Sequence, residues 1–133
     1  MSHVLPGLRF ARLWIVLGVL LLLIIAAGCL LPGRDVPEIV GSDKLKHLLA
    51  FGLLAFWFGS IVVRADLPWV GVAVVAIGGV IELLQGAMGL GRDAEWLDLV
   101  ADTLGVALGL VLVLTPLGRW ARWFESLVAK AAQ

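Results

Sequence analysis

The sequence predicts an all-α integral membrane protein with four transmembrane helices and a short C-terminal interfacial helix. Hydrophobic residues make up 62% of the chain, and the mean hydropathy is +1.07, far above what a soluble domain of this size carries. The apolar residues fall into four runs, each close to the ~20 residues that a helix needs to cross the hydrocarbon core. We therefore treat residues 1–133 as a single membrane domain.

The four predicted spans are separated by short polar segments. The spans cover about residues 13–31, 45–63, 67–85 and 97–115. PGRDVPEIVGSDK follows the first span, RAD with Pro68 makes a tight turn after the second, and GAMGLGRDAEW joins the third to the fourth. The last span ends at Thr115-Pro116, because proline cannot continue a helix.

The tail, residues 118–131, is the predicted interfacial helix. Its apolar residues recur at helical spacing: Trp120, Trp123, Phe124 and Leu127. Basic residues stand beside them: Arg119, Arg122 and Lys130. An apolar stripe flanked by basic residues is typical of a helix that lies on a membrane surface.

The basic residues favour cytoplasmic N and C termini. With both termini inside, six basic residues face the cytoplasm: Arg9, Arg12, Arg64, Arg119, Arg122 and Lys130. Four would lie outside: Arg34, Lys44, Lys46 and Arg92. The positive-inside rule favours the side with the excess of Lys and Arg.

Charge and cysteine content exclude some classes of function. The formal net charge is zero, so nothing indicates a nucleic-acid partner. The single cysteine, Cys29, cannot form an internal disulfide or a cysteine-based metal site. AAGC at residues 26–29 loosely resembles a lipoprotein signal, which leaves lipidation of Cys29 as an alternative to a packing role.

Polar side chains gather at the outer ends of spans two, three and four. They are Asp43, Lys44, His47, Glu82, Gln85, Arg92, Asp98 and Asp102. Within each span, spacings of three or four residues place them on one helix face. Charged side chains in this region are costly, so they turn towards each other or towards water. The sequence therefore predicts a polar pocket that opens outward between three helices, with a purely structural polar network as the alternative.

The same residues resemble the VanZ-like family of small bacterial membrane proteins, named for glycopeptide (teicoplanin) resistance. The resemblance rests on DKLKHLLAFGLL, ELLQ and GRDAEWLDLVADTLGVALG, which occur in that order within residues 43–109. The chain departs from the family at Asp102, where asparagine is usual. The resemblance implies a helical protein of the bacterial cell envelope, placed in the cytoplasmic (inner) membrane, and supplies no settled reaction.

The first functional hypothesis is the binding or processing of an anionic lipid or lipid-linked glycan headgroup. Lys44 and Arg92, with Gln85, would bind the phosphate. His47 would act as general acid or base, because its ordinary pKa suits proton transfer near neutrality. Asp98 or Glu82 would orient it or activate water as the other catalytic residues, while Asp43 and Asp102 complete the polar network. No serine or cysteine nucleophile accompanies this set, so whether the chain is an enzyme stays open.

Two alternatives belong to other classes. His47, Glu82, Asp98 and Asp102 could ligate a metal, but no motif of fixed spacing such as HExxH accompanies them, and we predict neither a metal nor a cofactor. The chain could instead be a non-catalytic accessory protein or a small proton-coupled transporter. Four spans are few for a transporter, which would then act as a homo-oligomer.

Overall fold

The computed structural model describes residues 3–31, 43–88 and 95–131, and most of these residues are helical. The helices are α1 Ala11–Leu30, α2 Asp43–Ile61, α3 Leu67–Met88, α4 Trp96–Leu114 and α5 Trp120–Ala131. The first four are long and apolar enough to cross a membrane. This confirms the predicted all-α membrane fold with four spanning helices.

The helices begin and end within a few residues of the polar segments that were predicted to separate them. A 3₁₀ turn, Arg64–Asp66, precedes α3, and a second, Pro116–Arg119, precedes α5. The largest difference is at the end of α3, which continues to Met88 rather than ending near Gln85. Glu82 and Gln85 therefore lie inside a helix, which fixes the directions of their side chains.

Successive spanning helices run in opposite directions and give the bundle two ends, named here the His47 end and the Trp14 end. α1 and α3 run towards the His47 end, where Gln85 of α3 contacts Cys29 of α1. α2 and α4 run towards the Trp14 end, where Trp57 of α2 contacts Trp14. α1 therefore begins at the Trp14 end, and α4 ends there.

Glycines let α2 and α4 approach until their backbones touch. A Cβ atom at Gly105 would overlap the carbonyl oxygen of Leu48, and one at Gly109 would overlap that of Gly52. Small residues four apart allow this kind of contact between membrane helices. The close approach brings the first turns of α2 and α4 together, and those turns carry the polar side chains.

The hydrophobic core lies between α2, α3 and α4. Its buried members are Phe51, Leu54, Ala55, Val74, Ile81 and Val106. α1 packs against the outside of this core and exposes leucine, isoleucine and valine along most of its length. Such exposure fits a helix whose outer surface meets lipid.

At the Trp14 end, the N-terminal segment and α5 close over the bundle. The N–H of Leu5 donates to the carbonyl of Ile61 (2.9 Å), and that of Val63 donates to the carbonyl of His3 (3.1 Å). α5 turns Ala121 and Glu125 inward. Trp120, expected on the membrane-facing stripe of the tail, instead packs on Trp57, with ring centroids 4.9 Å apart.

Candidate functional site

His47 lies at the centre of a buried polar cluster at the His47 end. Its ring is parallel to that of Phe51, one turn further along α2, with centroids 6.1 Å apart. The Nδ1 atom lies 2.9 Å from Oδ1 of Asp102 on α4, which is a hydrogen-bond distance. His47 is 2% exposed and Asp102 is fully buried. The carboxyl group nearest the imidazole is therefore that of Asp102, which was predicted only as part of the surrounding polar network.

Three further carboxylates face the same imidazole at a longer distance. Oε1 of Glu82 lies 4.0 Å from Nδ1. On the other side of the ring, Asp43 Oδ2 and Asp98 Oδ2 each lie 4.0 Å from Nε2. The structure thus brings together the predicted residues of three different helices around one histidine.

Lys44 lies at the rim of this cluster and is engaged by two acids. Its Nζ is 2.7 Å from Oε2 of Glu95 and 3.5 Å from Oδ1 of Asp98. Sequence reasoning left Glu95 out of the site. The signal for Glu95 is an acidic residue directly before the predicted start of the fourth span, where α4 begins.

Glu82 links the cluster to the beginning of α4. Its Oε2 accepts a hydrogen bond from the backbone N–H of Glu95 (3.0 Å), the residue that caps α4. A carboxylate at a helix N-terminus satisfies a free N–H group and complements the helix dipole. Glu82 therefore positions α4 with one oxygen and directs the other towards His47.

Gln85 and Arg92 were both predicted to bind a headgroup, and the structure describes only Gln85. The Nε2 of Gln85 donates to the backbone carbonyl of Cys29 (2.6 Å), which ties α3 to the last turn of α1. Gln85 is 3% exposed, so its amide is already used within the bundle. Arg92 lies outside the described residues.

Three carboxylate oxygens of the cluster are buried and accept no hydrogen bond from the described residues. They are Glu82 Oε1, Asp98 Oδ1 and Asp102 Oδ2. Asp102 Oδ2 lies against Gly78 of α3, where a Cβ atom would meet it at 2.5 Å. Asp98 Oδ1 has the Lys44 ammonium 3.5 Å away. Burying a polar group without a partner is costly, so a proton or a cation would stabilise the other two oxygens.

A cavity of about 200 Å³ adjoins His47 between α1 and α2. Its walls are Ile25, Gly28, Cys29, Asp43, Lys46, His47 and Ala50. The walls contributed by α1 and Ala50 are apolar or small, whereas Asp43 and Lys46 make its rim polar. The volume is below that of a site for a whole drug-sized ligand.

Comparison with known proteins gives no match: no family model, no curated protein and no solved structure matches the chain. The geometry of the cluster therefore carries the functional argument.

Proposed function

We propose that the chain is a VanZ-like membrane protein of the bacterial cell envelope that binds or processes the headgroup of an anionic lipid or lipid-linked glycan, with His47 as the acid–base group where it processes it. One observation carries the proposal. His47, held by Asp102, lines a cavity whose rim includes Lys46 and whose inner wall is apolar. An amphiphile in the membrane has the matching arrangement, with an apolar body below a charged headgroup.

The His47–Asp102 pair supports acid–base chemistry at this position. A carboxylate on one ring nitrogen fixes the orientation of an imidazole and leaves the other nitrogen for proton transfer. Here the second nitrogen, Nε2, faces Asp43 and Asp98 at 4.0 Å. Nε2 therefore lies on the side of the ring that faces Asp43, whose side chain is 42% exposed.

Lys44 and Lys46 are the described cations that would meet a phosphate. Lys44 has a side chain that is 43% exposed and pairs with Glu95, which is itself 54% exposed. An exposed ion pair of this kind contributes little to stability and exchanges readily. A phosphate arriving at the rim can therefore compete with Glu95 for the ammonium group, with Arg92 as the further predicted contact.

The distribution of charge supports placing the His47 end outside the cytoplasm. Arg64, Arg119 and Arg122 line one cavity at the Trp14 end, and the positive-inside rule assigns such an end to the cytoplasm. In this orientation both termini are cytoplasmic and the cavity beside His47 lies in the outer leaflet. Lipid-linked envelope precursors present their phosphates at that depth.

Native mass spectrometry of the gently solubilised protein tests the proposal. We expect a defined phospholipid or polyprenyl-linked species on the wild type and its loss from the Ala50→Leu variant, whose larger side chain fills the cavity. The Lys44→Ala/Arg92→Ala double variant should retain less of it. Ala107→Leu, an equal change at an exposed position of α4, is the control and should retain the lipid.

The outcomes separate binding from chemistry. A folded wild type that carries no specific lipid, or equal retention by Ala50→Leu and Ala107→Leu, would remove the headgroup proposal. Retention with unchanged turnover in His47→Gln would leave a binding protein without catalysis. A proton-coupled transporter has less support, because the buried titratable side chains described in α2, α3 and α4 all lie at the His47 end.

A further inference from the structure

The innermost part of the cluster places two buried carboxyl groups beside one imidazole, and the ion pairs described for Lys44 do not reach them. The ion pairs of Lys44 go to Glu95 and Asp98, and Glu82 and Asp102 lie deeper. Glu82 is 6% exposed and Asp102 is fully buried. Each has one oxygen that accepts no hydrogen bond from the described residues. Two buried carboxylates facing one imidazole form a site that lacks a positive charge.

The donor atoms are spaced like the corners of a coordination polyhedron. One ligand atom each from His47, Glu82 and Asp102 lies within 4.8 Å of the other two. From His47 Nδ1 the distances are 2.9 Å to Asp102 Oδ1 and 4.0 Å to Glu82 Oε1. An ion with bonds of 2.0–2.2 Å spaces its ligands by about 3.0–3.5 Å. The 2.9 Å distance already matches this spacing, and side-chain movements of up to roughly 1 Å would bring Glu82 within range of the same ion.

The surroundings of the imidazole match those of metal-bound histidines. A histidine that ligates through one nitrogen commonly donates the N–H of the other to a carboxylate. Nε2 of His47 faces Asp43 Oδ2 and Asp98 Oδ2, each at 4.0 Å. Coordination through Nδ1 displaces its proton and leaves Nε2–H to be held by these two acids.

A second trio, Asp43, His47 and Asp98, also has ligand atoms within 4.8 Å of one another. It is the weaker site, because Asp98 already pairs with Lys44 and the side chain of Asp43 is 42% exposed. Both trios need His47. With a metal at Nδ1, Asp43 and Asp98 would not be ligands but would lie beside Nε2 and help to orient the ring.

We propose that His47 Nδ1, Glu82 and Asp102 bind one divalent transition-metal ion, of the Zn²⁺ or Mn²⁺ class. One imidazole and two carboxylates suit these ions better than Ca²⁺, which takes oxygen ligands only. Three protein ligands leave at least one coordination position free for water or a ligand oxygen. The site needs no lipid, so it stands or falls separately from headgroup binding.

The test is metal binding by the full chain, purified in detergent and stripped with EDTA. Equilibrium dialysis against Zn²⁺ and Mn²⁺, read by elemental analysis, should give one ion per chain. His47→Gln, Glu82→Gln and Asp102→Asn should each raise Kd at least about tenfold. The matched control is His3→Gln/Asp66→Asn, which removes the other described His–Asp pair, separated by 3.0 Å at the Trp14 end, and should leave stoichiometry and Kd unchanged.

Metal binding can also be measured on the wild type alone, which needs no folded variant. Zn²⁺ or Mn²⁺ should raise its Tm in proportion to the logarithm of free metal, as ligands of the native state do, and Ca²⁺ should not. In the Co²⁺-substituted protein, the visible spectrum should report mixed nitrogen and oxygen ligation. Absence of stoichiometric binding in the folded wild type, or equal binding by the three ligand variants, would overturn the proposal.

Discussion

Nδ1 of His47 on α2 lies 2.9 Å from Oδ1 of Asp102 on α4, and 55 positions of sequence separate the two residues. The pair forms because Gly105 and Gly109 allow α4 to touch the backbone of α2. The same helix contact therefore supports both the fold and the polar cluster. Variants that address function should preserve side-chain volume, so that loss of the fold is not mistaken for loss of chemistry.

The first prediction concerns the stability that Asp102 supplies. Asp102→Ala leaves a ring nitrogen of His47 without its acceptor and opens a void, and should cost about 2–4 kcal/mol of unfolding free energy. Asp102→Asn keeps an acceptor of the same shape and should cost less. Thermal unfolding in detergent, followed by tryptophan fluorescence, measures both.

Thr103→Ala is the matched control for this series. Thr103 neighbours Asp102 in α4, is exposed, and donates only to the carbonyl of Leu99. An exposed change of this kind usually stays within about 0.5 kcal/mol. Equal melting of Asp102→Ala and Thr103→Ala would show that the buried pair does not stabilise the bundle.

Much of the fold could be predicted from hydropathy, because a membrane helix needs a long apolar run that polar loops interrupt. The predicted end of α3 near Gln85 was too early, because Gly86, Ala87 and Met88 continue the helix beyond the apolar run. The packing face of α5 also differed. Tryptophan spacing alone cannot tell lipid from a neighbouring helix, and Glu125, which turns that helix inward, is paired with groups more than 110 positions away.

The membership of the polar cluster could also be predicted, because charged side chains in spanning helices turn inward. Helical spacing gave the faces of Glu82 and Asp102 but not their distances from His47. Which carboxylate reaches the imidazole depends on the approach of α2 and α4, and one-dimensional spacing does not contain that distance. Gln85 shows the same limit, because its partner is a backbone carbonyl that any residue at position 29 would offer.

The second prediction tests the contact between α2 and α4. Gly105→Ala places a methyl group on the carbonyl oxygen of Leu48, and backbone atoms cannot move aside as a flexible side chain can. We expect a loss of more than about 3 kcal/mol, beyond the usual range for one substitution, seen as a large fall in the yield of folded protein by size-exclusion chromatography.

Gly79→Ala provides the comparison within a spanning helix. A Cβ atom there comes no closer than 4.0 Å to a neighbour. Alanine is the better helix former by roughly 1 kcal/mol, so this variant should be neutral or slightly stabilised. Similar yields for Gly105→Ala and Gly79→Ala would contradict the packing described for α2 and α4.

The third prediction separates the roles of Lys44. The side chains of its ion pair with Glu95 are both exposed, and exposed pairs contribute little to stability, so Lys44→Met should leave the Tm close to that of the wild type. Retention of the bound lipid should nevertheless fall. A large loss of stability with unchanged lipid retention would instead make Lys44 a structural residue that neutralises Glu95 and Asp98.

The fourth prediction concerns Glu125, which fastens α5 to the start of α1. Its carboxylate accepts from the N–H groups of Arg9 (2.7 Å) and Phe10 (2.9 Å) and from the indole of Trp14 (2.7 Å). Burial alone would raise the pKa of Glu125, but the backbone bonds from Phe10 and Arg9 and the Trp14 indole favour the charged form and lower it overall. Since hydrogen bonds to charged groups are typically worth ~1.5–3 kcal/mol each, Glu125→Gln should destabilise the protein at neutral pH by roughly 2 kcal/mol or more.

The pH dependence follows from the direction of that shift. A carboxyl whose pKa is lower in the folded protein stabilises the fold fully above its ordinary pKa, and this contribution is lost as the pH falls through the lowered value. The stability difference between wild type and Glu125→Gln should thus be constant near neutrality and shrink in acid, because glutamine does not titrate. Thermal unfolding across this range measures it, with Ser126→Ala, an exposed neighbour on α5, expected to follow the wild type at every pH. A difference that stays constant into strong acid would show that the charge on Glu125 does not hold α5 in place.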